Sequence, residues 1–572
     1  MCVRPEYPTP QFERENWINL NGQWDFKIDN EKCGEAKKYY DRDGFEGKIT
    51  VPFCPESKLS GVGNTDFMYC VWYKRKVTLP SNWLTNGKKT FLNIGACDYE
   101  AIVYVNGNKA GTHFGGYTPI KIDITPWLSE GENDITICAK DDPQDNSIPS
   151  GKQCERFNSY GCLYTRTTGI WQTVWLENTP NAYIKSVKMT PSLKNGNVFI
   201  EAKTENADGL ELSAVVSFKG KEICRASGTV TWRKAQLMLN IDEIHPWDME
   251  NPNLYDIIFT LGEDTVKSYF GLRDIVLQDN KTYINGKAVF QRLILDQGFY
   301  PDGIYTAPSE EELIADIKRS LDMGFNGARL HQKVFEPRFL YHCDRMGYLV
   351  WDEHANWGLA TNTDLPYKSF LHEWMEILER DYNHPAIIGW CPLNETEKGI
   401  NERFVRLLHK ITMEYDPTRI FIDNSGWCHV EGTFDMYDVH DYGMTAEKYL
   451  PLIEGKEVEC VKVWGGNFQK SDYTTRNDIC FVSEFGGISM KQKDGTGWGY
   501  GKDADNVNAL IERYKTLVDA LLDNPKITAF CYTQLTDVEQ EQNGLYTYDR
   551  VPKVDPEILK PITSRKAAME EE

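Results

Sequence analysis

The chain has 572 residues, a net charge of -22 and a pI near 5.0. This length exceeds what one hydrophobic core supports, so it predicts three or four domains. The acidic balance excludes a nucleic-acid binder, because contacts to phosphate need clustered Lys and Arg. A membrane partner is not expected either, since no run of 18 apolar residues occurs and the N-terminus lacks an apolar signal core.

Fifteen cysteines are scattered from Cys2 to Cys531 without C-x-x-C spacing. This odd number and irregular spacing favour free thiols over a disulfide framework or a metal site. We therefore expect a cytoplasmic protein. The composition leaves a homo-oligomer open, because acidic charge says nothing about a subunit interface.

Residues 1–180 contain short strand-like segments separated by turns. Ala101–Val105 runs into Asn106-Gly107, a strong hairpin signal, and Trp171–Glu177 alternates apolar and polar residues. Many short strands with Gly-rich turns predict a β-sandwich or jelly roll.

Residues 181–273 continue with short strands, among them Ser213–Ser217 and Gln236–Asn240. About 90 residues with this spacing indicate one immunoglobulin-like β-sandwich.

After Arg273 the pattern changes, and strands alternate with amphipathic helices. Eight strands in about 300 residues predict a (β/α)₈ TIM barrel over residues 274–572. The predicted helices are Ser309–Met323, Phe335–Met346, Ser369–Tyr382, Glu402–Tyr415 and Asn506–Leu522. The predicted strands are Val289–Leu295, Asn326–Leu330, Tyr348–Trp351, Ile387–Leu393, Phe421–Asp423, Tyr437–Val439, Ile479–Val482 and Ile527–Tyr532.

Two of these strands end in a carboxylate. Ile387–Leu393 leads into Asn394-Glu395, and Ile479–Val482 leads through Ser483 into Glu484. Because a barrel brings the carboxyl ends of its strands to one rim, the fourth and seventh strands would place both acids together. Either one alone is more simply a surface group, since the chain has 85 Asp and Glu. Together they indicate an acid/base pair.

Several motifs resemble glycoside hydrolase family 2, which includes β-galactosidases, β-glucuronidases and β-mannosidases. They are Leu20–Phe26, Val71–Arg75, Val105–Gly107, Thr168–Trp171, Asn394-Glu395 and Ser483–Gly486. The resemblance implies a sugar-binding jelly roll, an immunoglobulin-like sandwich and a catalytic barrel. It also implies a retaining exo-β-glycosidase in which Glu395 is the acid/base, Glu484 is the nucleophile and Asn394 holds the sugar 2-hydroxyl.

Further substrate-binding candidates lie near other strand ends. The resemblance gives Tyr442 a hydrogen bond to the nucleophile and Arg329 the orientation of the catalytic carboxylates. A packing role is the alternative for Tyr442 and for His331, and a surface turn is the alternative for Asp296 and Gln297. The aromatic candidates are Trp357, Trp464 and Tyr532, which stands where the family has a strand-eight tryptophan.

Three departures from the family concern ligands. Asp352–Gly358 lacks the Glu-x-His spacing of magnesium-binding β-galactosidases, so no metal and no cofactor are expected. Asp537–Tyr546 lacks the lysine with which β-glucuronidases hold the sugar carboxylate, although Lys333 or Arg329 is a possible substitute. Leu163 replaces a sugar-binding aspartate.

The missing lysine argues against an anionic sugar, whereas Leu163 and Tyr532 leave the identity of the sugar open. We expect a neutral carbohydrate substrate, with β-galactosidase as the leading activity. β-Glucuronidase, β-galactofuranosidase and β-mannosidase activities are the alternatives within the family. A non-catalytic carbohydrate-binding protein and an internally cleaving glycosidase are the alternatives outside this reading.

Overall fold

The computed structural model describes residues 3–396, 399–426, 428–443, 445, 478–491 and 497–570. Its first unit is a β-sandwich of jelly-roll type. Twelve strands, β1 to β12, span Trp17–Asn19, Gly22–Ile28, Gly47–Val51, Cys70–Thr78, Lys89–Ile94, Cys97–Asp98, Glu100–Val105, Asn108–Phe114, Ile120–Asp123, Glu132–Lys140, Gly169–Ile170 and Val174–Thr179. The larger sheet has the order β3-β2-β4-β10-β7-β8, and the smaller has the order β1-β12-β5-β9.

The two sheets share one apolar core, to which Trp24, Tyr73, Leu92 and Leu176 belong. The turn between β7 and β8 is the predicted one. Asn106 has φ 48° and a glycine follows it with φ 77°, the positive values that a two-residue hairpin turn requires.

A second antiparallel sandwich follows, as the sequence predicts. Strands β13 to β19 span Tyr183–Ser192, Asn197–Glu205, Glu211–Phe218, Lys221–Thr229, Lys234–Asn240, Tyr255–Leu261 and Asp264–Phe270. They form the sheets β13-β14-β17 and β16-β15-β18-β19. Exposed and buried residues alternate along β17 and β18, so each strand turns one face to a common core and the other to solvent.

The third unit is a barrel of parallel strands. A small sheet, β20 to β22, precedes it at Ile275–Gln278, Lys281–Ile284 and Lys287–Ala288. Strands β23 to β32 then span Gln291–Asp296, Gly327–Leu330, Leu349–Glu353, Ile387–Cys391, Leu393–Asn394, Ile420–Phe421, Asn424–Ser425, Tyr437–Asp441, Ile479–Gly486 and Ala529–Thr533. Eight of them form one sheet in the order β28-β26-β25-β24-β23-β32-β31-β30, which confirms the predicted eight-stranded architecture.

Six α-helices, α1 to α6, occur among the described residues: Glu310–Asp322, Pro337–Met346, Tyr367–Asp381, Glu402–Tyr415, Val507–Leu522 and Pro556–Thr563. Asn401 and Asn506 cap α4 and α5 with their side chains, and Gly347 ends α2 with φ 66°. All five predicted helices are found within two residues of their predicted ends. Within the described part, no helix is long and apolar enough to cross a bilayer.

Two strands differ from prediction in a way that matters for the site. The fourth strand is interrupted at Pro392, whose missing N–H cannot join the sheet, so Asn394 lies in the separate short strand β27. The seventh strand, β31, continues to Gly486, so Glu484 lies within a strand.

The first sandwich contacts the barrel rim through residues 150–171. The indole of Trp498 and the amide of Gln540 both donate to Gly161 O, at 2.8 Å each. The hydroxyl of Tyr164 donates to Glu541 across 2.5 Å. The rim is therefore bordered by residues of both units.

Candidate active site

Glu484 projects from β31 into a buried cluster of hydrogen-bond donors. Its Oε2 accepts from the Tyr442 hydroxyl at 2.5 Å, and its Oε1 accepts from Arg329 at 3.2 Å. Burial raises the pKa of Glu484, but the neighbouring His440, Arg329 and the Tyr442 hydrogen bond outweigh burial and lower it to about 2. The carboxylate is therefore ionised, as a nucleophile must be.

Glu395 follows β27 and is less enclosed, with 16% of its side chain exposed. Its N–H donates to Ser425 O at 2.8 Å, and it adopts φ 51°, a left-handed conformation that side chains other than glycine seldom take. This backbone conformation turns the carboxylate toward His440, whose Nδ1 lies 2.7 Å from Glu395 Oε1.

His440 links the two carboxylates. Its Nδ1 is also 3.5 Å from Glu484 Oε2, and its Nε2 lies 3.0 Å from the Ser425 hydroxyl. Burial lowers the pKa of His440, but the neighbouring Glu484 and Glu395 raise it more, so the net shift is upward. A carboxylate oxygen of Glu395, one of Glu484 and a ring nitrogen of His440 all lie within 4.8 Å of one another.

Arg329, at the end of β24, orients the acids and Asn394 together. It is 1% exposed. Its Nε donates to Glu353 at 2.6 Å, its Nη1 to Ser483 O at 2.6 Å and its Nη2 to Asn394 Oδ1 at 2.9 Å. Because Asn394 Oδ1 accepts from Arg329, the amide is oriented with Nδ2 as a buried donor that has no partner in the described structure.

His331 lies beside the nucleophile. Its Nδ1 is 3.0 Å from Glu353 Oε2, and its Nε2 is 3.9 Å from Glu484 Oε1. Burial and the nearby cation Lys152 lower its pKa well below the usual range, so the imidazole is neutral near pH 7. The structure thus brings together five of the predicted residues around one point: Asn394, Glu395, Tyr442, Glu484 and Arg329, with His331 adjacent.

Gln297 belongs to a chain of amides on the first and eighth strands. It donates to Gln534 at 2.8 Å, and Gln534 donates to Asn543 at 2.7 Å. Asn543 in turn donates to Glu541 at 3.1 Å. Gln297 Oε1 has no partner among the described residues, so it remains an acceptor for a ligand.

The structure places two predicted substrate contacts away from the cluster around Glu395 and Glu484. Asp296 shares its strand face with Arg292, which bonds to Glu570 outside the barrel, and the buried charge that most affects it is Asp316 of α1. Tyr532 packs against Tyr514 of α5, with ring centroids 5.0 Å apart. Both side chains point into the layer between strands and helices, because alternate residues of a strand face opposite ways.

The side chain after Tyr532 points the other way. The Thr533 hydroxyl lies 3.0 Å from the Tyr442 hydroxyl, within the catalytic cluster. Trp357 is half-buried and stands edge-on to His331, with centroids 6.5 Å apart. Trp464 falls outside the described residues.

Functional residues that the sequence reasoning missed include His440, Glu353, Thr533, Glu541 and Lys152. His440 lies two residues before Tyr442 at the end of the same strand, and Glu353 ends the third strand, so strand-end position was the available signal. For Lys152, in a loop of the first sandwich, no such signal exists.

Within the described ranges, two groups of side chains have the spacing of metal ligands: Glu395, His440 and Glu484, and separately His113, His372 and Glu376. A cation bound to the first group would occupy the carboxylate oxygens needed for attack and protonation. The expectation of a metal-free reaction stays a prediction.

Comparison with known families and proteins agrees with this architecture. The glycosyl hydrolases family 2 sugar-binding domain matches residues 62–180, the family 2 middle domain matches 182–273 and the family 2 TIM barrel domain matches 275–451. The chain belongs to glycosyl hydrolase family 2. The resemblance stated from the motifs is thereby confirmed.

Relatives differ in the sugar their names give. The β-galactosidase of Thermoanaerobacterium thermosulfurigenes is 28% identical over 74% of this chain and 60% of its own length. Human β-glucuronidase is 26% identical over 81% of the chain and 78% of its own length. A Formosa agariphila protein provisionally named a β-glucuronidase is 30% identical over 61% of this chain. The aligned region spans only 44% of that relative's own length.

A solved structure of β-glucuronidase from Ruminococcus gnavus with D-glucuronic acid superposes with a TM-score of 0.79. It covers 98% of this chain and is 16% identical, so it shows the shared fold. The family assignment supports a β-glycosidase activity. Among the relatives compared, one is named a β-galactosidase, whereas most are named β-glucuronidases.

Proposed function

We propose that this protein is a retaining exo-β-glycosidase that hydrolyses β-glucuronides by double displacement. The observation that carries the mechanism is the separation of the two acids. Oxygens of Glu395 and Glu484 lie within 4.8 Å of each other. Retaining enzymes hold their carboxyl groups about 5 to 5.5 Å apart, whereas inverting enzymes leave about 6.5 to 9.5 Å for a water molecule.

In the first step a Glu484 oxygen attacks the anomeric carbon while Glu395 transfers its proton to the departing glycosidic oxygen. The aglycone leaves as an alcohol, and the sugar is bound to Glu484 as an ester. In the second step Glu395 removes a proton from water, the water oxygen attacks the anomeric carbon, and Glu484 leaves as a carboxylate.

The surrounding side chains have separate roles in this scheme. Arg329 and Tyr442 keep Glu484 ionised and orient it toward the anomeric carbon. Arg329 also orients the Asn394 amide, so that Asn394 Nδ2 donates to the sugar 2-hydroxyl. His440, a positioning residue, contacts both carboxylates and distributes positive charge between them. Gln297 and Trp357 offer an acceptor and an aromatic face to the sugar ring.

The choice of glucuronide rests on the relatives, most of which are named β-glucuronidases. β-Galactoside hydrolysis is the second candidate, because the Thermoanaerobacterium relative is a β-galactosidase and Asp537–Tyr546 has no lysine. The thirteen described cysteines are all free, which supports a reducing compartment such as the cytoplasm.

A substrate panel tests the proposal. The 4-nitrophenyl β-glycosides of glucuronic acid, galactose, glucose, mannose, fucose and galactofuranose are compared by kcat/KM with the wild-type enzyme. We expect the glucuronide to give the highest value. A higher kcat/KM for the galactoside would change the proposed substrate to a β-galactoside but would not affect the proposed mechanism. If none of the glycosides is hydrolysed, a carbohydrate-binding protein is favoured instead.

A further inference from the structure

A loop of the first sandwich delivers a lysine to the catalytic rim. Gly151 donates its N–H to Trp357 O at 3.1 Å and has φ 60°. A Cβ at this position would lie 2.3 Å from Gln332 O, so only glycine permits the close approach of the two backbones. On its other side, Lys152 O accepts from Tyr164 N at 2.8 Å. The backbone that carries Lys152 is thus fixed against the barrel.

The ammonium of Lys152 is buried without an acidic partner. The residue is 5% exposed, and its Nζ lies 4.2 Å from the centroid of Trp357. Within the described structure no hydrogen bond or ion pair is made by this ammonium. A buried charge without a hydrogen-bonded partner is costly, so such a group is expected where a ligand supplies the partner.

The ammonium is charged and faces the catalytic acids. Burial lowers the pKa of Lys152, but Cys162, Glu541, Glu484 and Glu395 raise it more, so the net shift is upward. The same charge lowers the pKa of His331. Glu541 forms no ion pair with Lys152 among the described contacts; its two oxygens accept instead from Tyr164 and Asn543.

The two cations that the sequence suggested for a sugar carboxylate are already engaged. Arg329 bonds to Glu353, Asn394 and the Ser483 carbonyl. Lys333 donates to Gly298 O at 2.5 Å and to Tyr305 O at 2.8 Å, behind the rim. Unlike these two cations, the Lys152 ammonium donates no hydrogen bond to any of the described residues.

We propose that Lys152 binds the carboxylate of the uronic acid and thereby determines that the enzyme accepts an anionic sugar. This inference rests on the proposed β-glucuronide specificity. It places the acid-recognising lysine on the first sandwich, in space beside Trp357 and His331, instead of on the loop after the eighth strand. An ammonium paired with a carboxylate in a site shielded from water gives a charge-assisted hydrogen bond.

The test compares Lys152→Met and Lys152→Arg with wild type on the 4-nitrophenyl β-glucuronide and β-galactoside. We expect Lys152→Met to lower kcat/KM for the glucuronide by roughly 10- to 100-fold, the loss expected for one charge-assisted hydrogen bond. The galactoside value should change less than about threefold, and Lys152→Arg should restore part of the glucuronide activity. Lys109→Met, an exposed position of the same sandwich, is the matched control.

A second readout is competitive inhibition by D-glucuronate and by D-glucose. Lys152→Met should weaken inhibition by D-glucuronate selectively. Equal losses for both sugars and both substrates, or no loss at all, would overturn the role of Lys152. If wild type prefers the galactoside while D-glucuronate still binds through Lys152, the proposed function fails and the inference stands. If wild type prefers the glucuronide and Lys152→Met changes nothing, only the inference fails.

Discussion

The two catalytic acids occupy different surroundings although both stand at strand ends. Glu484 is 4% exposed and accepts from a guanidinium and a hydroxyl, whereas Glu395 is partly exposed and contacts one imidazole. The first arrangement keeps the free Glu484 carboxylate ionised before it attacks. The second leaves the other acid partly open to solvent beside a single imidazole, so the two acids differ in their surroundings.

The largest effect should come from the nucleophile. Glu484→Gln removes the group that forms the glycosyl ester, so kcat should fall by at least about 10⁴-fold on every substrate. Steady-state kinetics with a nitrophenyl glycoside measures this. Activity near wild type would mean that Glu484 is not the nucleophile.

A smaller and substrate-dependent effect should come from the acid/base. Glu395→Ala should lower kcat/KM by about 10²- to 10⁴-fold on alkyl glycosides, which need protonation of the leaving oxygen. Dinitrophenyl glycosides should lose less, and azide should accelerate their turnover by attacking the ester without needing a base. Equal losses with good and poor leaving groups, and no response to azide, would contradict the division of roles.

A moderate effect on KM should come from replacing Gly151, the glycine at which the first sandwich packs against the barrel rim. Gly151→Ala places a Cβ 2.3 Å from Gln332 O and strains a positive φ, so the loop carrying Lys152 must shift. We expect KM for the preferred substrate to rise by about tenfold, with kcat changed less. Gly131→Ala also has a positive φ but meets no atom within 4 Å, which makes it the matched control. Similar KM values for Gly151→Ala and Gly131→Ala would show that substrate binding does not depend on the close approach of Gly151 to Gln332.

The smallest effect concerns pH and stability. The pKa of His440 is raised in the folded protein relative to about 6.5 in the unfolded chain, because Glu484 and Glu395 outweigh burial and the neighbouring Arg329. Its contribution to the free energy of unfolding is therefore full below about pH 6.5 and is lost as pH rises through the folded pKa. His440→Asn should lower Tm more at pH 6 than at pH 9 when measured by calorimetry. If the Tm difference between wild type and His440→Asn is the same at both pH values, the two acids do not stabilise the protonated form of His440.

The sequence was sufficient for the architecture and for the prediction that Glu395 and Glu484 lie together. Regular alternation of strands and helices placed Glu395 and Glu484 at the fourth and seventh strands, and the apolar runs set the strands within a few residues. It did not fix which face of a strand points inward, because strands buried on both faces carry apolar residues throughout. The sequence therefore could not show that Asp296 and Tyr532 lie away from the cluster, or that Thr533 reaches Tyr442.

Lys152 illustrates a different gap. Its loop lies far from the barrel in sequence, and its position at the rim depends on how residues 150–171 pack against Gln332, Trp357 and Glu541. Such contacts between units carry no periodic signal. The position of Lys152 at the rim therefore required the tertiary structure, while the pairing of Glu395 with Glu484 did not.

The central claim is that Glu484 forms a covalent glycosyl ester. It is tested most directly by incubating the enzyme with 2-deoxy-2-fluoro-glucuronosyl and 2-deoxy-2-fluoro-galactosyl fluorides and analysing its peptides by mass spectrometry. The account predicts one equivalent of fluorosugar on the peptide that contains Glu484, and none in Glu484→Gln. A label on another residue, or turnover with inverted product and no label, would contradict it.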